Sequence, residues 1–156
     1  DHSRHLLNRL HDNSIDVCFS YLATNEISYK CIPYKTDEII FVTNSQNIQF
    51  SNGIHNGEIL HLPIIYSKFM PKSGFDWIHD IFPPHYVFQF TISVIKEIIP
   101  FLLQYPYYAF LPRKLIEKEL KDGLLIEIPL LDYHIPPLQS YIIMKSNAKY
   151  NPLDYF

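Results

Sequence analysis

The chain has 156 residues, 47% of them hydrophobic and 19% charged, and a formal net charge of −3. Such a length and balance suit a globular core and exclude a disordered or fibrous chain. The longest apolar run, Ile98 to Leu103, contains Pro100 and falls far short of the about 20 residues that cross a bilayer, while scattered lysines and arginines give no basic footprint for a phosphate backbone.

The opening residues Ser3 to Asn13 are predicted as a helix through Leu6, Leu7 and Leu10, with Ser3 as its N-cap. Ile15 to Tyr21 follows as a mostly apolar strand, and Ile27 to Pro33 and Glu38 to Val42 are further strands. Asn44 to Asn56 is a polar connection with a short strand at Ile48 to Phe50. Leu62 to Tyr66 is predicted as a strand, Asp76 to Phe82 as a short helix burying Trp77, Ile78 and Ile81, and Tyr86 to Phe90 as another strand.

The second half is more strongly patterned. In Ser93 to Leu103, Val94, Ile95, Ile98, Ile99, Leu102 and Leu103 recur at helical steps, with Thr91 or Ser93 as cap. Pro100 should kink or split that helix, since it removes an amide donor and clashes with the preceding turn. Tyr107 to Leu111 is an apolar run closed by Pro112, as for a strand covered on both faces. Arg113 to Asp122 is helical, with Gly123 where a C-terminal cap belongs. Leu124 to Pro129 then places Leu124, Ile126 and Ile128 on one strand face and Glu127 on the other.

Helices and strands alternate, which favours an α/β fold with a mainly parallel sheet and helices on both faces. A domain of this type that begins on a helix leading straight into a buried strand lacks earlier, central strands, so an N-terminal truncation is expected. Cys18 and Cys31 fit no metal spacing; Cys18 lies in an apolar run, where an inert buried thiol is expected in preference to a redox switch, and a reducing cytoplasm is the expected location. The eight histidines are dispersed, and no nucleophile elbow, phosphate loop or dinucleotide fingerprint appears, so no catalytic residue, metal or cofactor is assigned.

Three stretches, SRHLLNRLHDNSIDVCFSY, GEILHLPIIYS and FLPRKLIEKELKDGLLIEIPL, together resemble the effector-binding domain of LysR-type transcriptional regulators. The likeness covers nearly the whole chain in the right order. One departure is the bulky run Gln104, Tyr105, Pro106 and Tyr107, where the family usually has glycines; it is expected to narrow the cleft or change the turn. The resemblance implies two Rossmann-like lobes with a ligand cleft between them, of the type II periplasmic-binding-protein kind. Lobe I would comprise residues 1–44 and 139–156, and lobe II residues 45–138. It also implies a homodimer or tetramer, no membrane contact, and DNA binding only through a winged helix-turn-helix preceding this chain. A solute-binding protein of a transporter, or an enzyme of the same fold, are the alternatives.

In such folds ligands bind at the carboxyl ends of strands, where helix N-termini offer free amides to anions. By position in the family pattern, Ser3, Ser20 and Tyr21 would line the cleft from lobe I. Tyr66, Ser67, Phe90, Thr91 and Ser93 would line it from lobe II. Simple helix capping is the competing explanation for Ser3, Thr91 and Ser93, and core or interface packing for Tyr21 and Tyr66. Arg113 is taken as a solvated charge outside the site.

Overall fold

A computed structural model describes residues 2–67 and 77–147, residues 2 and 3 by backbone alone. The described residues divide into two compact units, 2–36 with 138–147 and 37–67 with 77–137.

In the first unit, α1 (His2–His11) lays Leu6, Leu7 and Leu10 against β1 (Val17–Ser20) and β8 (Leu138–Lys145). These residues recur at the three- and four-residue steps of one helix face. The helix is closed where Asn13 takes φ 63° and the Ser14 amide donates to the Arg9 carbonyl at 2.9 Å. That is the left-handed terminator for which asparagine substitutes for glycine. The sheet order is β1-β8-β2, with β2 at Tyr29–Asp37 and β8 antiparallel to β1. Leu10, Cys18 and Ile143 form the buried centre.

The second unit contains β3 (Ile39–Asn44), α2 (Asn56–Ile59), β4 (Ile64–Ser67), α3 (Ile78–Ile81), β5 (Phe90–Ile92), α4 (Ile95–Gln104), β6 (Tyr108–Pro112), a 3-10 turn (Arg113–Ile116), α5 (Glu117–Lys121) and β7 (Leu125–Glu127). Its sheet runs β5-β4-β6-β3-β7, with β4 parallel to β5 and β6, and β3 antiparallel to β6 and β7. The expected mainly parallel sheet is therefore a mixed one. The two central strands, β3 and β6, are buried on both faces. On one face Ile40, Val42, Ile65, Ala109, Leu111 and Leu125 meet Ile98 and Leu102 of α4. On the other, Phe41 stacks on Tyr108 and meets Phe110, which Trp77 and Phe82 approach edge-on.

Several sequence expectations shift by a strand or a turn. The lobe boundary expected at 44/45 falls at 36/37, because β3 is hydrogen-bonded between β6 and β7 and so belongs to the second unit; residue 138 likewise joins the first. Ile48 to Phe50 is a turn, with Ile48 69% exposed. Pro100 is accommodated within a continuous α4 and does not split it. Arg113 to Asp122 is a 3-10 turn followed by α5.

Gly123, at φ +69°, closes α5 with a full C-terminal motif: the Leu124 amide donates to the Glu119 carbonyl at 2.8 Å and the Gly123 amide to that of Leu120 at 3.1 Å. That left-handed step sets the register of β7, pairing Leu125 with Asn44. Leu125 is thus buried and Leu124 47% exposed, against expectation, while Ile128 is buried and Glu127 exposed as the sequence predicts. The predicted start of the short helix at Asp76 lies outside the described residues, as does the C-terminal part of lobe I from 148 on.

Candidate functional site

Parallel pairing of β4 with β5 brings their carboxyl ends to one edge of the second unit's sheet. Tyr66 is registered with Thr91 and Ser67 with Ile92. Because side chains alternate along a strand, Tyr66 and Thr91 project together from the aromatic face, whereas Ser67, Phe90 and Ile92 turn toward α4. Tyr66 is half-buried and stacks on Phe88, ring centroids 4.8 Å apart. Thr91 is exposed and Ser67 is 5% exposed. Phe90 packs its ring edge against Tyr107 at 4.7 Å and joins the α4 core, so it braces this edge from behind.

The helix that follows begins differently from expectation. Val94, with extended φ −102° and ψ 110°, occupies the N-cap of α4, and no side-chain hydrogen bond caps the helix. Thr91 lies within β5, too early to reach the first turn, and Ser93 is exposed just ahead of the cap. Neither hydroxyl performs the capping that the sequence suggested. The Glu97 amide donates to the Val94 carbonyl at 3.0 Å, and the first-turn amides of Ile95 and Lys96, with the positive end of the dipole, stand just beyond the carboxyl end of β5 without a side-chain acceptor.

In the first unit Ser20 ends β1 and is 3% exposed. Its Oγ accepts a hydrogen bond from the Leu22 amide at 2.9 Å, a local turn that fixes how the chain leaves the strand. Tyr21, next in the chain, is half-buried. The side chain of Ser3 lies outside the described residues.

The bulky run expected to narrow a cleft lies elsewhere. Tyr108 is level with Ile64 at the start of β4, so Tyr105 and Tyr107 sit at the amino end of the sheet, opposite Ser67 and Thr91. There the polar groups pair with one another. Asn44 donates to the Leu102 and Leu103 carbonyls at 3.2 and 2.8 Å, closing the end of α4, and Asn47 donates to the Tyr108 hydroxyl at 2.8 Å.

Arg113, taken from sequence as a solvated charge, is the centre of an ion-pair cluster. Its Nε donates to Glu38 at 2.6 Å and its Nη2 to Glu127 at 2.5 Å, while Lys114 lies 3.1 Å from Asp37. The guanidinium holds the Glu38 carboxyl below its usual range, and the two carboxylates push the Arg113 pKa up. Nothing in the sequence announces partners 75 residues apart; the antiparallel pairing of β3 with β6 creates them. A second exposed contact joins His55 to Asp132 at 2.9 Å, with Asp132 also accepting from the Asn56 amide at 2.9 Å. The Asp132 hydrogen bond raises the His55 pKa, and the bonds from Asn56 and His55 lower that of Asp132.

Among the described residues no cluster of three or more histidine, cysteine or acidic side chains could hold a metal ion, and no helix is long and apolar enough to cross a membrane. Cys18 and Cys31 are free thiols on the two strands flanking β8. Two strand spacings of about 4.8 Å separate their backbones, beyond the about 7 Å that a disulfide tolerates. Burial pushes the Cys18 thiol up, which favours the unreactive form.

No protein-family model matches the sequence, and no curated protein matches it. Solved structures do match. The regulatory domain of HypT from Salmonella typhimurium, bromide-bound, aligns with TM-score 0.73 and 16% identity over 97% of this chain and 73% of that one. The BenM effector-binding domain with its effector benzoate aligns with TM-score 0.65 and 15% identity over 97% of this chain and 70% of that one. The chain has the LysR regulatory-domain fold. An OxyR cysteine mutant from Corynebacterium glutamicum adds TM-score 0.69 at 18% identity over 94% of this chain, which spans 47% of that one. The chain thus has about half the length of the longer LysR-type regulators that share its fold, and these neighbours are transcriptional regulators. The fold expected from sequence, α/β of the type II periplasmic-binding-protein kind, is the fold found.

Proposed function

We propose that this chain is the ligand-sensing part of a cytoplasmic LysR-type transcriptional regulator, and that it binds a small anionic effector at the carboxyl ends of β4 and β5. One observation carries the reading: the α4 N-terminus that follows β5 has no side-chain cap, and Ser93 just ahead of it and Thr91 near the end of β5 are both exposed. Hydroxyls and free amides are the donors that a carboxylate or phosphate needs. Tyr66 supplies a flat wall, Thr91 and Ser93 supply exposed hydroxyls, and Phe90 fixes the strand that carries them. Binding would shift the balance between two states of a dimer or tetramer, and with it the DNA affinity of a winged helix-turn-helix preceding this chain.

A thermal-shift screen of small carboxylates, amino acids and sugar phosphates on the full-length protein tests this. A ligand at about 100 times its Kd contributes about 2.7 kcal/mol, a rise of several degrees in Tm. The rise should disappear in the double variant Thr91→Val, Ser93→Ala. A panel in which no compound raises Tm, or a rise that this variant leaves intact, would overturn the proposal.

A further inference from the structure

The open edge of β3 carries the inference. The Arg113 amide donates to the Glu38 carbonyl at 2.8 Å, and the Ile128 amide to the Phe41 carbonyl at 2.8 Å. Even-numbered residues of β3 therefore address β6 and odd-numbered ones address β7. The β3–β7 register would next set Leu130 opposite Ile39. Leu130 is instead drawn away: the Ile54 amide donates to the Pro129 carbonyl at 2.9 Å and the Leu131 amide to the Ile54 carbonyl at 3.0 Å. Gly53, at φ +122°, permits this detour, since a Cβ there would lie 2.5 Å from a Leu131 methyl. The amide and carbonyl of Ile39 are left facing a gap, and no backbone partner meets them among the described residues.

That gap is a cavity of about 440 Å3 with Ile39 to Phe41 along its side and Ile128, Leu130, Ile135 and Pro137 as its apolar wall; Glu38, Glu127, Tyr133 and His134 supply its polar lining. Three consecutive strand residues line it because it abuts the edge of the strand rather than a face. Its size falls within the usual range for small-molecule sites. Tyr133 is fixed in place by donating to Asp80 at 2.6 Å. Ile39 is only 4% exposed, so an unpaired amide and carbonyl there are costly unless something in the cavity meets them.

We propose that this cavity is a second small-molecule site, distinct from the ends of β4 and β5, for a flat apolar ligand carrying an adjacent donor and acceptor on one edge, as a cyclic lactam does. The ligand N–H would donate to the Ile39 carbonyl and the ligand carbonyl would accept from the Ile39 amide, while the ring lies among Ile128, Leu130 and Ile135. A single free donor–acceptor pair suits a small ring better than a peptide strand, which draws its affinity from a row of such bonds. Among the described residues the chain passes between the two units at 36/37 and 137/138, next to Glu38 and Pro137 of this cavity. This inference does not depend on the regulator reading.

Saturation-transfer difference NMR on the full-length protein tests it with 2-quinolone as probe, N-methyl-2-quinolone as the donor-blocked control, and the variants Ile135→Trp and Thr91→Val. The expected result is binding of 2-quinolone that weakens at least tenfold on N-methylation, disappears in Ile135→Trp and persists in Thr91→Val. Absence of saturation transfer to 2-quinolone, equal binding of both quinolones, or loss in Thr91→Val with retention in Ile135→Trp would overturn it. The chemical pair keeps the test decisive even if Ile135→Trp fails to fold.

Discussion

The two ends of the five-stranded sheet are built by opposite rules. At the amino end the polar side chains are committed to the fold: Asn44 closes α4, Asn47 holds Tyr108, and the Thr43 hydroxyl donates to the Tyr107 carbonyl at 2.8 Å. At the carboxyl end Thr91 and Ser93 are exposed, and the helix that starts there has a valine for its cap. The amino end has its polar side chains hydrogen-bonded to the fold, whereas at the carboxyl end Arg113 beyond β6 is held by Glu38 and Glu127 and only the β5–α4 side leaves the Thr91 and Ser93 hydroxyls exposed. Under the proposed function, recognition falls to the exposed β5–α4 side of the carboxyl end, away from the hydrogen-bonded amino end.

This contrast can be tested by substitution, beginning with the helix that joins the two ends. Leu102, fully buried near the amino end, should cost about 2–5 kcal/mol when changed to alanine. Ile95→Ala, at the half-buried opposite terminus, should cost clearly less in the same urea titration. Equal costs would mean that α4 is anchored along its whole length. Asn44→Ala removes both amide bonds to the end of α4 and should cost about 1–2 kcal/mol, at about 1 kcal/mol per bond. Thr91→Val should change stability by no more than about 0.5 kcal/mol, as exposed positions do, while diminishing any effector-induced rise in Tm.

The smallest effect concerns pH. The raised His55 pKa gives stability that is complete below its ordinary 6.5 and is lost as pH rises through the folded value. The lowered Asp132 pKa gives stability that is complete above its ordinary 3.8 and is lost as pH falls through the folded value. The contact between the 53–56 turn and the 129–132 segment should hold best between pH 3.8 and 6.5. Asp132→Asn should flatten that dependence in a Tm-against-pH series.

Much of the fold was legible because apolar periodicity is a local signal. The stripe Ile95, Ile98, Leu102 marked α4, and Gly123 marked the end of α5. What failed did so for want of long-range information. Leu124 lies outside the buried face and Leu125 within it, because β7 begins at Leu125, paired across the sheet with Asn44, and the residues beside it do not encode that start. Thr91 and Ser93 were plausible caps by type, yet a strand ending at Ile92 and a valine at the cap position leave them uncommitted. The Arg113–Glu38 contact arises only when β3 and β6 pair, and the open edge at Ile39 only where the chain beyond β7 turns off toward Ile54; no local pattern encodes either.

The place of β3 at the heart of the second unit also governs when this chain can fold. Its partners lie at 108–112 and 125–127, and the partner of β1 lies later still, at 141–144. A ribosome adding about 5–20 residues per second exposes Ile39 to Val42 for several seconds before either neighbour exists. During that interval an apolar strand waits with both edges bare, the arrangement most prone to pair with another chain. Acquisition of protease resistance should accordingly be abrupt and late, once β7 has emerged, and should not accumulate element by element from the N-terminus.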